Sequence, residues 1–200
     1  MKRSVALRKC LSMLAMLIAV SAHASLREDI TANLKQHKIT RGVFHQQKTL
    51  PILSQPLISS GRFLYDAERG VLWNVEQPVN SKVVINAKGI FADGALLAGG
   101  SGGAMLQTLF KGLLSGDLQQ LQTQFDIREE GSRKQWRMLL TPRAQPLSAA
   151  IDSIELNGGD DAQQLTINER QGSVTRLVLS QHEHPLQLSA SELKEFTDAR

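Results

Sequence analysis

The sequence is poor in cysteine and in aromatic residues, and it has no long apolar run. The single cysteine, Cys10, lies in a segment that we expect to be removed, so the rest of the chain can have neither a disulfide nor a cysteine nucleophile. Aromatic residues make up only 4% of the chain. No apolar stretch approaches the roughly 18 residues that a membrane-spanning helix needs.

The first 24 residues are typical of a cleavable signal peptide. Cations come first, then the apolar stretch 10–20, and then the small-x-small sequence 22–24. A buried N-terminal helix is the alternative, but such a helix seldom has cations before it and a cleavage signature after it. We therefore expect export from the cytoplasm, cleavage after Ala24, and a single domain over 25–200.

Removing residues 1–24 also removes the net charge. Four of the 23 cations and none of the 19 anions lie there, which leaves 19 of each and takes the formal charge from +4 to 0. A neutral chain lacks the basic surface that nucleic-acid binding requires. We expect a monomer with no nucleic-acid partner.

A helix is predicted over 25–38. Ser25 and Glu28 form a capping box, in which each side chain accepts a hydrogen bond from a free backbone amide. Apolar residues recur on one face at helical spacing, at Leu26, Ile30 and Leu34.

From about residue 42 the apolar period changes to two, which indicates strands. Turn sequences such as 68–70, 87–89 and 157–160 separate many of these runs. The apolar positions that alternate are Phe63, Tyr65, Val71, Trp73, Val75, Val83, Ile85, Trp136, Met138, Leu140, Ile154, Leu156, Leu165, Ile167, Thr175, Leu177 and Leu179. Short alternating strands with polar Gly turns favour an antiparallel meander, barrel or sandwich.

The small, Gly-rich stretch 95–103 interrupts the strands. Apolar residues at helical spacing follow it, and these include Leu106, Leu109, Phe110 and Leu113. They predict a short helix, which is either a movable lid or a fixed part of the core. A further turn of helix near 117–121 and a terminal helix that begins at a second capping box, 189–192, are also predicted, with Leu193 and Phe196 on one face of the latter.

Residues 99–103 match the G-x-S-x-G pattern of a serine nucleophile, Ser101. The pattern requires a strand before the serine and alternating βα units, and the sequence shows neither clearly. A flexible hinge is the better explanation of these glycines. A small esterase that uses Ser101 remains a rival hypothesis.

Two histidines, His182 and His184, share one face of a predicted strand and could begin a metal site, but no third ligand cluster accompanies them. Pro185 follows at once and indicates a strand end in solvent. His37 and His45 are isolated, and Asp160 and Asp161 are typical of a hairpin turn. We expect no catalytic residue, no metal and no cofactor, and hence a binding module rather than an enzyme.

The order of these features resembles the LolA-type outer-membrane lipoprotein carrier proteins of Gram-negative bacteria over most of 25–200. The stretch 42–48 is similar to that family's F-x-Q-x-K strand, and 136–143 is similar to its strand ending in L-x-P-K. The stretches 60–65, 69–73 and 77–78 continue the likeness.

The resemblance implies an incompletely closed antiparallel β-barrel, capped by short helices, around an apolar cavity. It also implies a periplasmic carrier that takes acylated lipoprotein or lipid-like cargo from an ATP-driven inner-membrane extractor to an outer-membrane acceptor. A chain of ~15 methylenes costs about 12 kcal/mol to expose to water, so a carrier must shield it.

The resemblance further assigns a cargo-release arginine to Arg69. The expected lid residues are Leu106, Leu109, Phe110 and Leu113. The expected cavity lining is Phe63, Tyr65, Val71, Trp73, Val83, Ile85, Trp136, Met138, Leu140, Ile154, Leu156 and Leu177. The remaining alternative is an envelope adaptor that binds protein on the same fold, for which we expect a solidly packed interior.

Overall fold

The computed structural model describes residues 25–86, 88–98, 112 and 116–197. The predicted signal peptide, Ser101 and the expected lid lie outside the described residues. The lid consists of Leu106, Leu109, Phe110 and Leu113.

Strands dominate the described chain, as the alternating pattern predicts. In chain order the elements are α1 (Leu26–Lys35), β1 (Ile39–Thr49), β2 (Leu57–Asp66), β3 (Gly70–Gln77), β4 (Ser81–Asn86), β5 (Gly89–Ala92), β6 (Ala95–Ala98), α2 (Leu118–Gln122), β7 (Phe125–Ser132), β8 (Gln135–Pro142), α3 (Leu147–Ala150), β9 (Ile151–Gly158), β10 (Ala162–Glu169), β11 (Val174–Glu183) and α4 (Ala190–Thr197).

The described strands form one 11-stranded sheet in the order β6-β5-β4-β3-β2-β1-β11-β10-β9-β8-β7. Neighbouring strands are antiparallel throughout. The first strand lies between its hairpin partner β2 and the last strand β11, with which it pairs from Arg41–Glu183 to Thr49–Val174. Hydrogen bonds between the described strands do not close the sheet, so the predicted incomplete antiparallel barrel is confirmed.

Helix α1 begins at the predicted capping box. The Ser25 Oγ accepts the Glu28 N–H, and the Glu28 carboxylate accepts the Ser25 N–H. Ile30 and Leu34 are buried against the sheet. The helix ends at Lys35, before the predicted residue 38, and the Lys38 carbonyl accepts the Ala67 N–H at the β2–β3 turn.

One face of the sheet carries the main core. Trp136 is buried there, and its Nε1–H donates to the Gly159 carbonyl at 2.8 Å. A Cβ at Gly158 would overlap the indole ring, so the close approach of strand and ring requires glycine at that position. The β9–β10 turn is thereby fixed against β8.

The opposite face of β2–β5 is also apolar, and α4 covers it. Phe196 packs against Leu64, Leu72, Val84 and Phe91 in a second cluster. Strands that are buried on both faces have continuous apolar runs instead of strict alternation. Of the two residues predicted to share one face of this helix, Phe196 is 7% exposed and Leu193 is 37% exposed.

Candidate lipid-binding face

The strand register places all the expected cavity residues on one face of the sheet. Residues that pair directly across antiparallel strands point to the same side. The pairs on this face are Phe63–Trp73, Tyr65–Val71, Trp73–Val83, Val71–Ile85, Leu140–Ile154 and Met138–Leu156. Leu156 pairs with Leu165, and Leu165 pairs with Leu177. Trp136 is two residues before Met138 and therefore lies on the same side.

Most of these residues are buried rather than lining open space. Met138 and Leu140 are 0% exposed and belong to the main cluster, which spans β7–β11, α1, α2 and the adjoining side of β1 and β2. Tyr65, Val71 and Ile85 form a smaller cluster with Ile90 on β2–β5. Within the expected lining only Trp73 and Val83 are half-buried.

Trp73 joins the two clusters. Its ring stacks on Phe44 with a centroid separation of 4.0 Å, and it lies 6.2 Å from the Phe63 ring. Trp73 packs against both the main and the smaller cluster, and Val83 is its cross-strand neighbour. This junction is one place where the apolar face keeps some exposed surface, and Val75, Ile127 and Ile167 are half-buried as well.

Sequence reasoning missed Phe44 as part of this face. Phe44 is 2% exposed and lies on the central strand, opposite Gly61 on β2 and Leu179 on β11. Polar neighbours at 45–48 hide the strand's alternation, so the apolar period gives no signal there. The pairing of β1 with β2 and of β2 with β3 brings Phe44 to Trp73, because Phe44 lies opposite Gly61, which has no side chain to separate the two rings.

Arg69 lies in the β2–β3 turn and is held by Asp66. Its Nη1 lies 3.2 Å from the Asp66 Oδ2, and its backbone N–H donates to the Asp66 Oδ1 at 2.8 Å. Asp66 is a buried carboxylate, and the Glu68 N–H also donates to it. The guanidinium is therefore positioned by the same carboxylate that organises the turn, at the same end of β2 as Tyr65.

His37 is not isolated, which corrects the sequence interpretation of this residue. His37 stacks on His184 with a centroid separation of 3.6 Å. The His184 Nε2 lies 3.2 Å from the Asp161 Oδ2, and its Nδ1 lies 3.2 Å from the Thr40 Oγ1. The end of β11 is therefore tied to the β9–β10 turn and to the start of β1 rather than free in solvent.

His182 is half-buried and meets the edge of the Phe63 ring at 5.8 Å between centroids. Burial lowers the pKa of its imidazole from the ordinary value, because an imidazolium is poorly solvated there. The nearby Asp161 carboxylate and a hydrogen bond to the Ala162 backbone oppose this shift, and His184 adds to it.

In the part of the chain that the structure describes, no group of three or more His, Cys, Asp or Glu side chains is arranged to hold a metal ion. A cavity of about 470 Å³ lies on the opposite side of the sheet, beside α4, and charged residues such as Arg41, Glu183 and Glu192 line it. Its polar lining suits acyl chains less well than the face around Trp73.

Comparison with known proteins identifies the family. A family model described as outer membrane lipoprotein carrier protein LolA-like matches residues 19–184. The chain belongs to this LolA-like family. Proteins of the family bind lipoproteins or act in the cell envelope, and they are binding or carrier proteins rather than enzymes. No curated protein matches the chain significantly.

Solved structures with a similar chain path include members of the same superfamily. A LolA superfamily protein from Nitrosomonas europaea is 9% identical with a TM-score of 0.46, over 84% of this chain and 97% of that one. MucB in the Pseudomonas aeruginosa MucA/MucB complex is 15% identical with a TM-score of 0.48, over 85% and 60%. An outer membrane lipoprotein-sorting protein domain from Vibrio parahaemolyticus is 9% identical with a TM-score of 0.41, over 87% and 98%.

Among the described residues, no helix has the length and the apolar character needed to cross a membrane. The chain is thus a LolA-like protein whose sheet has apolar residues on an enclosed face. On β2–β5, apolar residues also lie on the opposite face, under α4.

Proposed function

We propose that this protein is a periplasmic carrier that holds the acyl chains of a lipoprotein or lipid-like cargo and moves them between the inner and outer membranes. The observation that supports this most directly is the continuous apolar face, which reaches the surface at Trp73 and Val83. Acyl chains gain free energy in proportion to the apolar area that they bury, and a carrier needs no catalytic group.

In this proposal the cargo enters beside Trp73, between the two apolar clusters. The chain would be exported by the signal peptide 1–24 and would act over residues 25–200. Its membrane partners would be an extractor in the inner membrane and an acceptor in the outer membrane. Arg69, held by Asp66 at the turn, would contribute to cargo release.

Binding of a fluorescent acyl probe tests the carrier function. Val83→Asn places an amide beside Trp73 at a half-buried site, so we expect probe affinity to fall by about tenfold. The matched control is Val79→Asn, since Val79 lies in an exposed turn away from the apolar face, and its affinity should equal that of the parent protein. Native mass spectrometry with lipid extraction would identify the cargo.

A protein that is always empty and takes up no acyl probe would contradict the carrier function. It would favour the second candidate, an envelope adaptor that binds protein. The burial of Met138 and Leu140 on all sides supports that candidate, because a filled interior leaves no room for cargo beside them.

A further inference from the structure

Large apolar side chains that remain exposed concentrate at one end of the sheet. They lie in the β1–β2 turn with the first residues of β2, and in the β3–β4 turn. Their exposed fractions range from 42% at Leu53 to 89% at Ile52. We call this set the apolar tip, and its members are Ile52, Leu53, Leu57, Ile58 and Val79.

The strand register brings the two turns together. Lys48 at the end of β1 pairs with Leu57, and Gln77 at the end of β3 pairs with Ser60. The turn 50–56 and the turn 78–80 therefore lie at the same end of the strands, on either side of β2. Pro51 packs beside Gly172, so the β10–β11 turn supports the tip from the other side.

The tip carries no charge of its own. No charged residue occurs between Lys48 and Arg62. Both of these bordering cations are already paired within the chain, Lys48 with Glu169 at 2.9 Å and Arg62 with Glu76 at 2.6 Å. A protein interface usually surrounds its apolar centre with a rim of polar groups available to the partner, whereas these cations are engaged.

The backbone of the turn also suits an apolar surrounding. Pro51 and Pro56 have no N–H to satisfy, and the Leu53 N–H donates to the Leu50 carbonyl at 3.0 Å. Backbone donors without a partner are what chiefly prevent a loop from entering lipid. The turn is apolar and uncharged, some of its backbone hydrogen bonds are made within the turn, and the charges at its border are paired. These properties fit the interface of a bilayer with zwitterionic headgroups.

We propose that the apolar tip inserts into the interfacial layer of a phospholipid membrane. Ile52 and Leu53 enter the boundary between headgroups and acyl chains, and Val79 supports them from the neighbouring turn. The contact is reversible, because a few aliphatic side chains bind a bilayer far more weakly than a spanning helix does. It does not depend on the interior of the protein and therefore stands apart from the carrier function.

Co-sedimentation with vesicles of the zwitterionic lipids phosphatidylethanolamine and phosphatidylcholine tests this contact. The protein is isolated after export and its N-terminus is determined, so that residues 10–20 cannot act as the anchor. Ile52→Ser combined with Leu53→Ser should weaken vesicle binding by at least about tenfold, which corresponds to about 1.4 kcal/mol. Leu186→Ser is the matched control, because Leu186 is almost fully exposed but lies outside the tip.

Binding should persist at high salt, because apolar insertion is not screened as charge attraction is. Loss of binding at high salt, or equal binding by the double variant and the parent protein, would overturn the proposal. Absence of vesicle binding by the parent protein would overturn it as well. If the tip were then found to be needed for association with an envelope protein, it would be a protein-binding surface instead. Acyl-probe uptake should be unchanged in the double variant, so failure of the membrane contact is distinguishable from failure of the carrier function.

Discussion

Single residues in this protein owe their roles to contacts that are distant in sequence. His184 and Asp161 are an example, since a strand end and a hairpin turn meet only when β10 and β11 pair. The sequence correctly indicates which positions are apolar, because alternation is a local property. It gives no signal for the His37–His184 stack, because its two members are far apart in the sequence and meet only when β1 pairs with β11.

The lowered pKa of His182 makes stability depend on pH. At a pH below the ordinary histidine pKa of about 6.5, His182 takes up a proton in the unfolded chain more readily than in the folded protein. The free energy of unfolding should therefore fall as pH decreases below about 6.5, with a contribution of at most about 1.4 kcal/mol per pH unit from this group. Urea unfolding at a series of pH values measures this slope.

His182→Gln should reduce that slope, whereas His45→Gln should leave it unchanged, because His45 is exposed on β1. His184, Asp161 and the Ala162 backbone also face His182. Equal slopes in His182→Gln and the parent protein would show that burial of this imidazole does not control the pH response.

Among the elements, α4 illustrates how far local patterns reach. The capping box at Ser189 and Glu192 is present as predicted, with the Glu192 N–H donating to the Ser189 Oγ at 3.2 Å. The sequence predicts that Leu193 and Phe196 share one face of the helix, but it does not show that only Phe196 is deeply buried, because burial depends on which strands lie beneath the helix. The apolar runs at 63–65 and 71–73 are the sequence signal that both faces of β2 and β3 are covered.

Phe196 should account for most of the stability that α4 gives to the sheet. Phe196→Ala removes a buried ring from the cluster with Leu64 and Leu72, so we expect a loss of about 3 kcal/mol in the free energy of unfolding. Leu193→Ala, at a position 37% exposed, should cost far less. Chemical denaturation of both variants measures the difference.

Similar losses for the two alanine variants would indicate that ion pairs anchor the helix instead. Those pairs join Glu192 to Arg41 at 3.1 Å and Glu195 to Lys82 at 3.3 Å. They are partly exposed, and exposed pairs contribute little because water and salt screen them.

At the scale of the whole molecule, the sheet consists of two halves that meet at β1 and β11. The fold class and the shared apolar face could be predicted from alternation and from the family resemblance. The division of that face into a packed half and a half-exposed junction could not be predicted. It depends on how strongly the sheet curves and on which side chains contact one another across the interior.

The two tryptophans allow the halves to be observed separately. If cargo enters beside Trp73, an acyl ligand should shift the emission of Trp136→Phe protein to the blue, since only the half-buried Trp73 then remains. Trp73→Phe protein should respond little, because Trp136 is already 2% exposed. Fluorescence titration with an unlabelled fatty acid measures both, and a response confined to Trp136 would place the entry in the other half.

Because the first strand pairs with the last, β1 lacks its second neighbour until almost the whole chain is available for folding. Arg41 and Glu183 are 142 residues apart. Until β11 pairs with it, one edge of the central strand remains open to other chains. A chain cut short before β11 would therefore expose an unpaired edge at the centre of the sheet rather than at its border.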